Sequence, residues 1–264
     1  METERLVRGF TNPFCNTSRN SVPLFGIEIG NLTFREALDA VRCFLSGNAK
    51  HYILTPNVDH IMRIQQDPVL RACYRHASLV LPDGMPLVWA SRFLKTPLKE
   101  RIAGIDFFLS VCALASREGY STFFLGAESG IIMKAVEHLS LSFKNLQITG
   151  SHHGYFDSDH PVVDQINRAK PDLLFIGMGS PKQEYWIYRN IDRLEVRTAL
   201  CVGGSFDIIA GKKRRAPQYI QRIGMEWFWR LILEPRRLWR RYLVEDMKFF
   251  KLAYLQKARK KLRC

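Results

Sequence analysis

Short apolar runs alternate with helix-period stretches along most of this 264-residue chain, and that alternation restricts its fold more than any other feature. The runs at 52–55, 79–81, 122–125, 173–176 and 199–202 are brief and rich in β-branched or aromatic residues, the pattern of buried strands. Between them, 105–117, 131–143 and 162–169 carry apolar residues three or four apart, the spacing of one helix face. Strand–helix alternation predicts an α/β domain, a mostly parallel sheet with flanking helices in a Rossmann-like plan. The expected divisions are a flexible leader over 1–22, the α/β domain over 23–211, and a basic helical appendage over 212–264.

Charge separates the last two. Residues 212–264 hold 17 Lys/Arg against 4 Asp/Glu, while 1–211 hold 22 against 21. A neutral body with a cationic tail calls for an anionic partner at the tail, a phosphate group or a lipid surface. Within the tail, GMEWFWRLILEPRRLWRR (224–241) packs three Trp and five Arg into eighteen positions. Arg230, Arg237, Arg241 and Lys248 recur at helical spacings, with Leu238, Tyr242, Phe249 and Leu252 on another face and Pro235 as a break. Rings interleaved with cations suit a membrane interface. Single-stranded nucleic acid is the rival partner for such a composition, but no nucleic-acid motif accompanies it in the body.

Six cysteines without a CxxC pair read as reduced thiols. Neither a signal-peptide plan nor an apolar run of ~20 residues is present, so a cytoplasmic chain without a transmembrane anchor is expected.

Each predicted strand ends in a loop of Gly, Pro or polar residues: ILTPNVDH (53–60), LPDGMPLVW (81–89), FLGAESG (124–130), IGMGSPKQEYW (176–186) and CVGGSFDIIAG (201–211). Ligands of open α/β sheets bind outside the carboxyl ends of strands, where helix N-termini offer N–H groups. Any one such loop is an ordinary turn, whereas five together outline a cleft. Gly84, Gly126, Gly177, Gly179, Gly203 and Gly204 are the positions where backbone could approach a ligand closely.

The segments LTPNVDH, PDGMPLVW, ERIAGIDFF, HHGYF, GMGSPKQEYW and GGSFDIIAGKKRRAP, followed by GMEWFWRLILEPRRLWRR, resemble in order and spacing the WecG/TagA/CpsF family of bacterial glycosyltransferases. The resemblance spans roughly residues 24–241 and implies inverting transfer of a sugar from a UDP-sugar donor to a polyprenyl-diphosphate-linked sugar acceptor. It further implies work on cell-surface polymers, a peripheral place on the inner membrane face, an appendage in membrane contact, no metal and no cofactor. A nucleotide-sugar binder without turnover and a nucleic-acid-binding protein are the alternatives. The oligomeric state stays open, a homo-oligomer included.

Inverting transfer needs a carboxylate to take the acceptor's proton. On position alone Asp83 suits either a helix cap or that base; the resemblance favours the base. The leaving diphosphate needs cations and N–H donors. The resemblance places Arg101 in the catalytic pocket, and Arg214, Arg215, Arg222 and Arg230 are the nearest tail cations, with Arg237 and Arg241 beyond them. Thr55, Asn57 and Gln183 are expected to hydrogen-bond the sugar. Gly203, Gly204 and Asp207 are expected at the nucleoside. Asp59, Asp106 and Glu184 read as helix-start or packing carboxylates. Asp157-Ser-Asp159 matches a metal-binding Asp-x-Asp only formally, and His152, His153 and His160 read as loop residues. Deleting 212–264 is expected to leave a folded body.

Overall fold

In the computed structural model of the chain, the described residues are 20–222, 225–233, 235–236 and 246–261. A hairpin of β1 (Ser21–Leu24) and β2 (Ile27–Gly30) precedes a six-stranded sheet. Its strands are β3 (His51–Leu54), β4 (Leu79–Val80), β5 (Ser121–Gly126), β6 (Gln147–His152), β7 (Leu173–Gly177) and β8 (Thr198–Cys201). They lie in the order β4-β3-β8-β7-β5-β6, and every neighbouring pair is parallel. The α/β expectation is met, and β3, β4, β5, β7 and β8 fall on the five apolar runs.

Helix α1 (Phe34–Ser46) starts at a capping box in which Thr33 accepts from the Glu36 N–H and Glu36 accepts from the Thr33 N–H. Helices α2 (Val58–Gln66) and α3 (Pro68–His76) link β3 to β4; α4 (Met85–Phe93) and α5 (Gly104–Glu118) link β4 to β5. Single crossovers follow: α6 (Ser129–Ser142), α7 (Asp159–Ala169) and α8 (Lys182–Asn190). Beyond β8 come α9 (Ser205–Ile209), α10 (Gln218–Arg222), α11 (Glu226–Leu233) and α12 (Asp246–Lys261).

Side-chain alternation along the strands splits the core in two. Tyr52, Leu54, Phe123, Leu125, Leu174 and Ile176 pack with Ile61 of α2, Tyr74 of α3 and Trp186 of α8. Ile53, Phe124, Phe175 and Leu200 pack on the other face with Val41 of α1, Phe108 of α5 and Ala135 of α6. The Phe108 ring meets Phe175 edge-on at 4.8 Å.

Four expectations need correction. Ser21 and Val22 are in β1, so the ordered body reaches into the stretch read as a leader. The edge strand β6 and the β1–β2 hairpin carried too weak an apolar signal to be read; β6 has no fully buried residue. Phe249 and Ala253 of α12 are buried in the first core cluster, so part of the tail belongs to the body's core. Cys43 is disulfide-bonded, which corrects the reading of six reduced thiols. No described helix is long and apolar enough to cross a membrane.

Cys73, Cys112 and Cys201 are free and buried. Burial pushes the Cys73 thiol up to about 12 and raises the Cys112 and Cys201 thiols as well. The thiolate is the nucleophile, so these three should resist iodoacetamide in the folded protein and react once it is unfolded. Modification of any of them in the native state, read by peptide mass, would contradict this packing.

Candidate active site

The carboxyl ends of β4, β3, β8 and β7 open onto a cleft of about 680 Å³. The β3 end delivers Thr55 and Asn57, and the β4 end delivers Asp83. The turn after β7 contributes Gly179, with Gln183 following on α8; the turn after β8 contributes Gly203 and Gly204, with Asp207 on α9. A second cavity of about 160 Å³ shares Gly203, Gly204, Asp207 and Lys212 with the first and adds Gly177, Tyr155 and Lys182.

Asp83 is tied to the neighbouring strand end, because its N–H donates to the Pro56 carbonyl at 2.9 Å. Gly84 is the N-cap of α4, so Asp83 stands one residue outside the cap position. A Cβ at Gly104, the first residue of α5, would lie 3.1 Å from Thr55 Oγ1 and 3.3 Å from Asp83 Oδ2. Thr55 and Asp83 therefore flank one glycine, and a side chain there would crowd both.

Gln183 is almost fully buried and its amide is fixed at both ends. The Gly203 N–H donates to Oε1 at 3.1 Å, and Nε2 donates to Glu184 Oε1 at 3.1 Å. Glu184 is itself buried; Tyr74 O–H donates to Oε1 at 3.4 Å, and His60 Nε2 stands 3.7 Å from it. Burial first, and Glu184 second, raise the Tyr74 hydroxyl well above its ordinary pKa. Asn57 caps α2, and its N–H donates to His60 Nδ1 at 3.0 Å. With Nδ1 accepting, a neutral His60 carries its proton on Nε2, toward Glu184.

Glu184 thus binds the cleft residue Gln183, stands beside His60, and is more than a helix-start carboxylate. The sequence hint was the dipeptide Gln-Glu just inside a helix that follows a buried strand. Glu184→Ala would leave the Tyr74 hydroxyl and the Gln183 amide without their acceptor. Each buried orphan costs about 1–3 kcal/mol, so a urea melt should show clear destabilisation, smaller for Glu184→Gln. A wild-type midpoint for Glu184→Ala would contradict this network.

The outer wall of the cleft is cationic: Lys212, Lys213, Arg214 and Arg215 line it, with Glu226 and Leu233 of α11. Lys212 pairs with Glu128 at 3.1 Å and Lys213 with Asp207 at 2.6 Å. Arg215 grips Asp106 with two bonds of 2.6 Å and reaches Glu226 at 3.3 Å. Burial works against the Arg215 charge, but Asp106 and Glu226 outweigh it and raise its pKa. Arg101 is not on the cleft lining; it pairs at 2.9 Å with Glu226, which is, and which Arg215 also reaches. Glu226 was missed, although it is the one carboxylate in the basic stretch 212–233.

Several residues fall elsewhere. Gly84 and Gly126 do not line the cleft, and Gly177 faces only the smaller cavity. A Cβ at Gly126 would stand 2.3 Å from the Gly177 carbonyl oxygen, and one at Gly177 would stand 2.5 Å from the Phe206 ring. Both glycines let strand ends and α9 pack closely. Asp59 pairs with Arg63 in α2 and both line the cleft, whereas Asp159 accepts from Asn190 at the start of α7. Among the described residues, no three of His, Cys, Asp and Glu gather as a metal site. The side chains of Arg222 and Arg230, and Arg237 and Arg241 altogether, lie outside the described residues.

The model of the glycosyl transferase WecG/TagA/CpsF family matches residues 22–263. The chain belongs to this family. Among its relatives, an N-acetylglucosaminyldiphosphoundecaprenol N-acetyl-beta-D-mannosaminyltransferase of Bacillus spizizenii is 34% identical over 200 residues, 76% of this chain and 77% of that relative. A Staphylococcus aureus protein of the same name is 31% identical over 228 residues, 85% of this chain and 89% of its own. Family membership runs through both the sheet and the tail, so the cleft between them is the place to look for the transfer chemistry.

Proposed function

We propose that the chain transfers an N-acetylmannosamine-type sugar from a UDP-sugar donor, with inversion, to a sugar carried on polyprenyl diphosphate. The observation that carries this reading is one cleft lined by both an aspartate at a strand end, Asp83, and four consecutive cations, Lys212 to Arg215. The names of the two relatives supply the sugar and the class of acceptor.

In this mechanism the Asp83 carboxylate accepts the proton of the attacking acceptor hydroxyl. The new bond forms between that oxygen and the anomeric carbon as the bond from carbon to the diphosphate oxygen breaks. Lys212, Lys213, Arg214 and Arg215 face the charge that grows on the departing UDP. Arg101 acts through Glu226 to hold Arg215. Thr55, Asn57 and Gln183 orient the sugars, and Gly203, Gly204 and Asp207 border the nucleoside. The division at 211/212 is then one of roles: catalytic groups come mainly from the sheet, and the tail brings phosphate-facing cations and an anionic membrane surface on the cytoplasmic side.

The deciding experiment offers a panel of UDP-sugars and N-acetylglucosaminyl diphosphate on a short polyprenyl chain, with product mass and anomeric configuration measured. An inverted disaccharide product supports the reading; no product from any donor, or a retained configuration, overturns it. With the diphosphate met by side-chain cations, turnover should survive exhaustive EDTA treatment. Loss on chelation, restored by Mn²⁺ or Mg²⁺, would transfer the charge-stabilising role to a metal.

A further inference from the structure

Helix α4 begins immediately after Asp83 and Gly84 and then runs out to the surface. Its inner side buries Leu87, Val88, Ala90 and Ser91. Its outer side leaves Trp89 and Phe93 exposed at 42% and 43%, four residues apart on one face.

Helix α12 packs beside α4 and α2. It buries Phe249 and Ala253 while exposing Phe250, Tyr254 and Leu255. The outer faces of the two helices meet, because Lys257 Nζ sits 3.8 Å from the centre of the Phe93 ring. Phe93 therefore adjoins the outer side of α12, which exposes Phe250 and Tyr254, and exposed Trp89, Arg92, Lys95, Lys248 and Lys251 lie on these two helices and the turn after α4. Across α4 and α12 the sequence holds one carboxylate, Asp246 at the first position of α12, against seven Lys/Arg. A protein partner is met through a rim of both signs, whereas rings bordered mainly by cations complement anionic headgroups over an acyl layer.

We propose that the joint face of α4 and α12 lies directly on an anionic lipid surface, so that the body docks through the helix that starts at Asp83. This rests on the reading of a lipid-linked acceptor and deepens it by fixing which face meets the lipid. From Met85 to Phe93 the helix rises about 12 Å, which holds Asp83 near headgroup level when Phe93 is in the interface. An acceptor sugar raised on its own diphosphate then has a short path to the base.

The test uses the full chain with an environment-sensitive fluorescent amino acid introduced singly at Phe93, at Tyr254, and at Leu141, an exposed control on α6. With phosphatidylglycerol-containing vesicles, emission at the first two positions should shift to the blue and that at Leu141 should not; pure phosphatidylcholine should produce little shift. Trp89→Ser with Phe93→Ser should weaken vesicle binding by about tenfold or more at an unchanged melting temperature. Lys251→Gln should weaken it about fivefold. Firm vesicle binding with Phe93 still water-exposed and the double variant binding normally would overturn the proposal and leave docking to the rest of the tail. Failure to bind any vesicle would overturn both the proposal and the membrane reading beneath it, and a blue shift with single-stranded RNA alone would assign the patch to nucleic acid.

Discussion

Replacing Asp83 by Asn should lower kcat by about 10²–10⁴-fold, the span a positioned general base contributes, if Asp83 is the base proposed above. Asparagine keeps the size of the side chain, so the contact with Gly104 and the N–H bond to Pro56 survive and the protein folds. What it loses is the capacity to take a proton from the acceptor hydroxyl. Donor affinity, which the proposed mechanism assigns to the cationic wall and the turn after β8, should change little, so the loss should fall on kcat and not on the Kd for UDP. Thr55, on the other side of Gly104, gives a useful contrast. Thr55→Val removes a hydroxyl but no base, and its effect should be far smaller. Near-normal turnover by a folded Asp83→Asn protein would move the base elsewhere in the cleft, with His60 the next group to test.

The second large effect is on stability, from a residue in the tail. Phe249→Ala should destabilise the whole protein by about 3–5 kcal/mol, the cost of emptying a buried phenylalanine site. Phe249 is fully buried, and its ring centre lies 5.0 Å from that of Phe25 in the turn of the β1–β2 hairpin. The same helix accepts the Phe25 N–H at Gln256 Oε1, 3.1 Å away. Deleting 212–264 would strip this cover from the hairpin and α2, so the body should be destabilised and not left intact. A single urea transition at wild-type midpoint for Phe249→Ala would show that α12 does not hold the body together. The result matters for function as well: the tail cannot be assayed by simple removal, and point variants of Arg214 or Arg215 are the cleaner probes of its role in catalysis.

Much of the candidate site could be read from residues alone, because strand-end loops draw on a narrow set of residue types. Thr55, Asn57, Asp83, Gly179, Gln183, Gly203, Gly204 and Asp207 all follow an apolar run and line one cleft, although for Asp83 the resemblance, and not its position, favours a base over a helix cap. Arg214 and Arg215 were chosen for charge and lie on the same wall. Arg101 was placed by resemblance, and its side chain turns to Glu226 on the cleft lining. The sequence reads Glu184 only as a helix-start carboxylate and does not single out His60 or Glu226, because their roles depend on partners far away in sequence: Glu184 lies 110 residues from Tyr74, and Glu226 lies 125 from Arg101.

Local chemistry, then, was enough for the elements and the edge on which a ligand would sit. Hydrophobic period distinguishes a buried strand from an amphipathic helix, and parallel strands joined by helices put every carboxyl end on one side. Three things waited for the tertiary structure: the order β4-β3-β8-β7-β5-β6, the meeting of Glu226 with two arginines, and the burial of Phe249 against Phe25. Each is a pairing between segments whose own patterns are satisfied by many partners. A cationic, aromatic tail helix reads alike whether it faces lipid, phosphate or protein. Only its packing divides those faces, with Phe249 turned into the core and Phe250 and Tyr254 turned out.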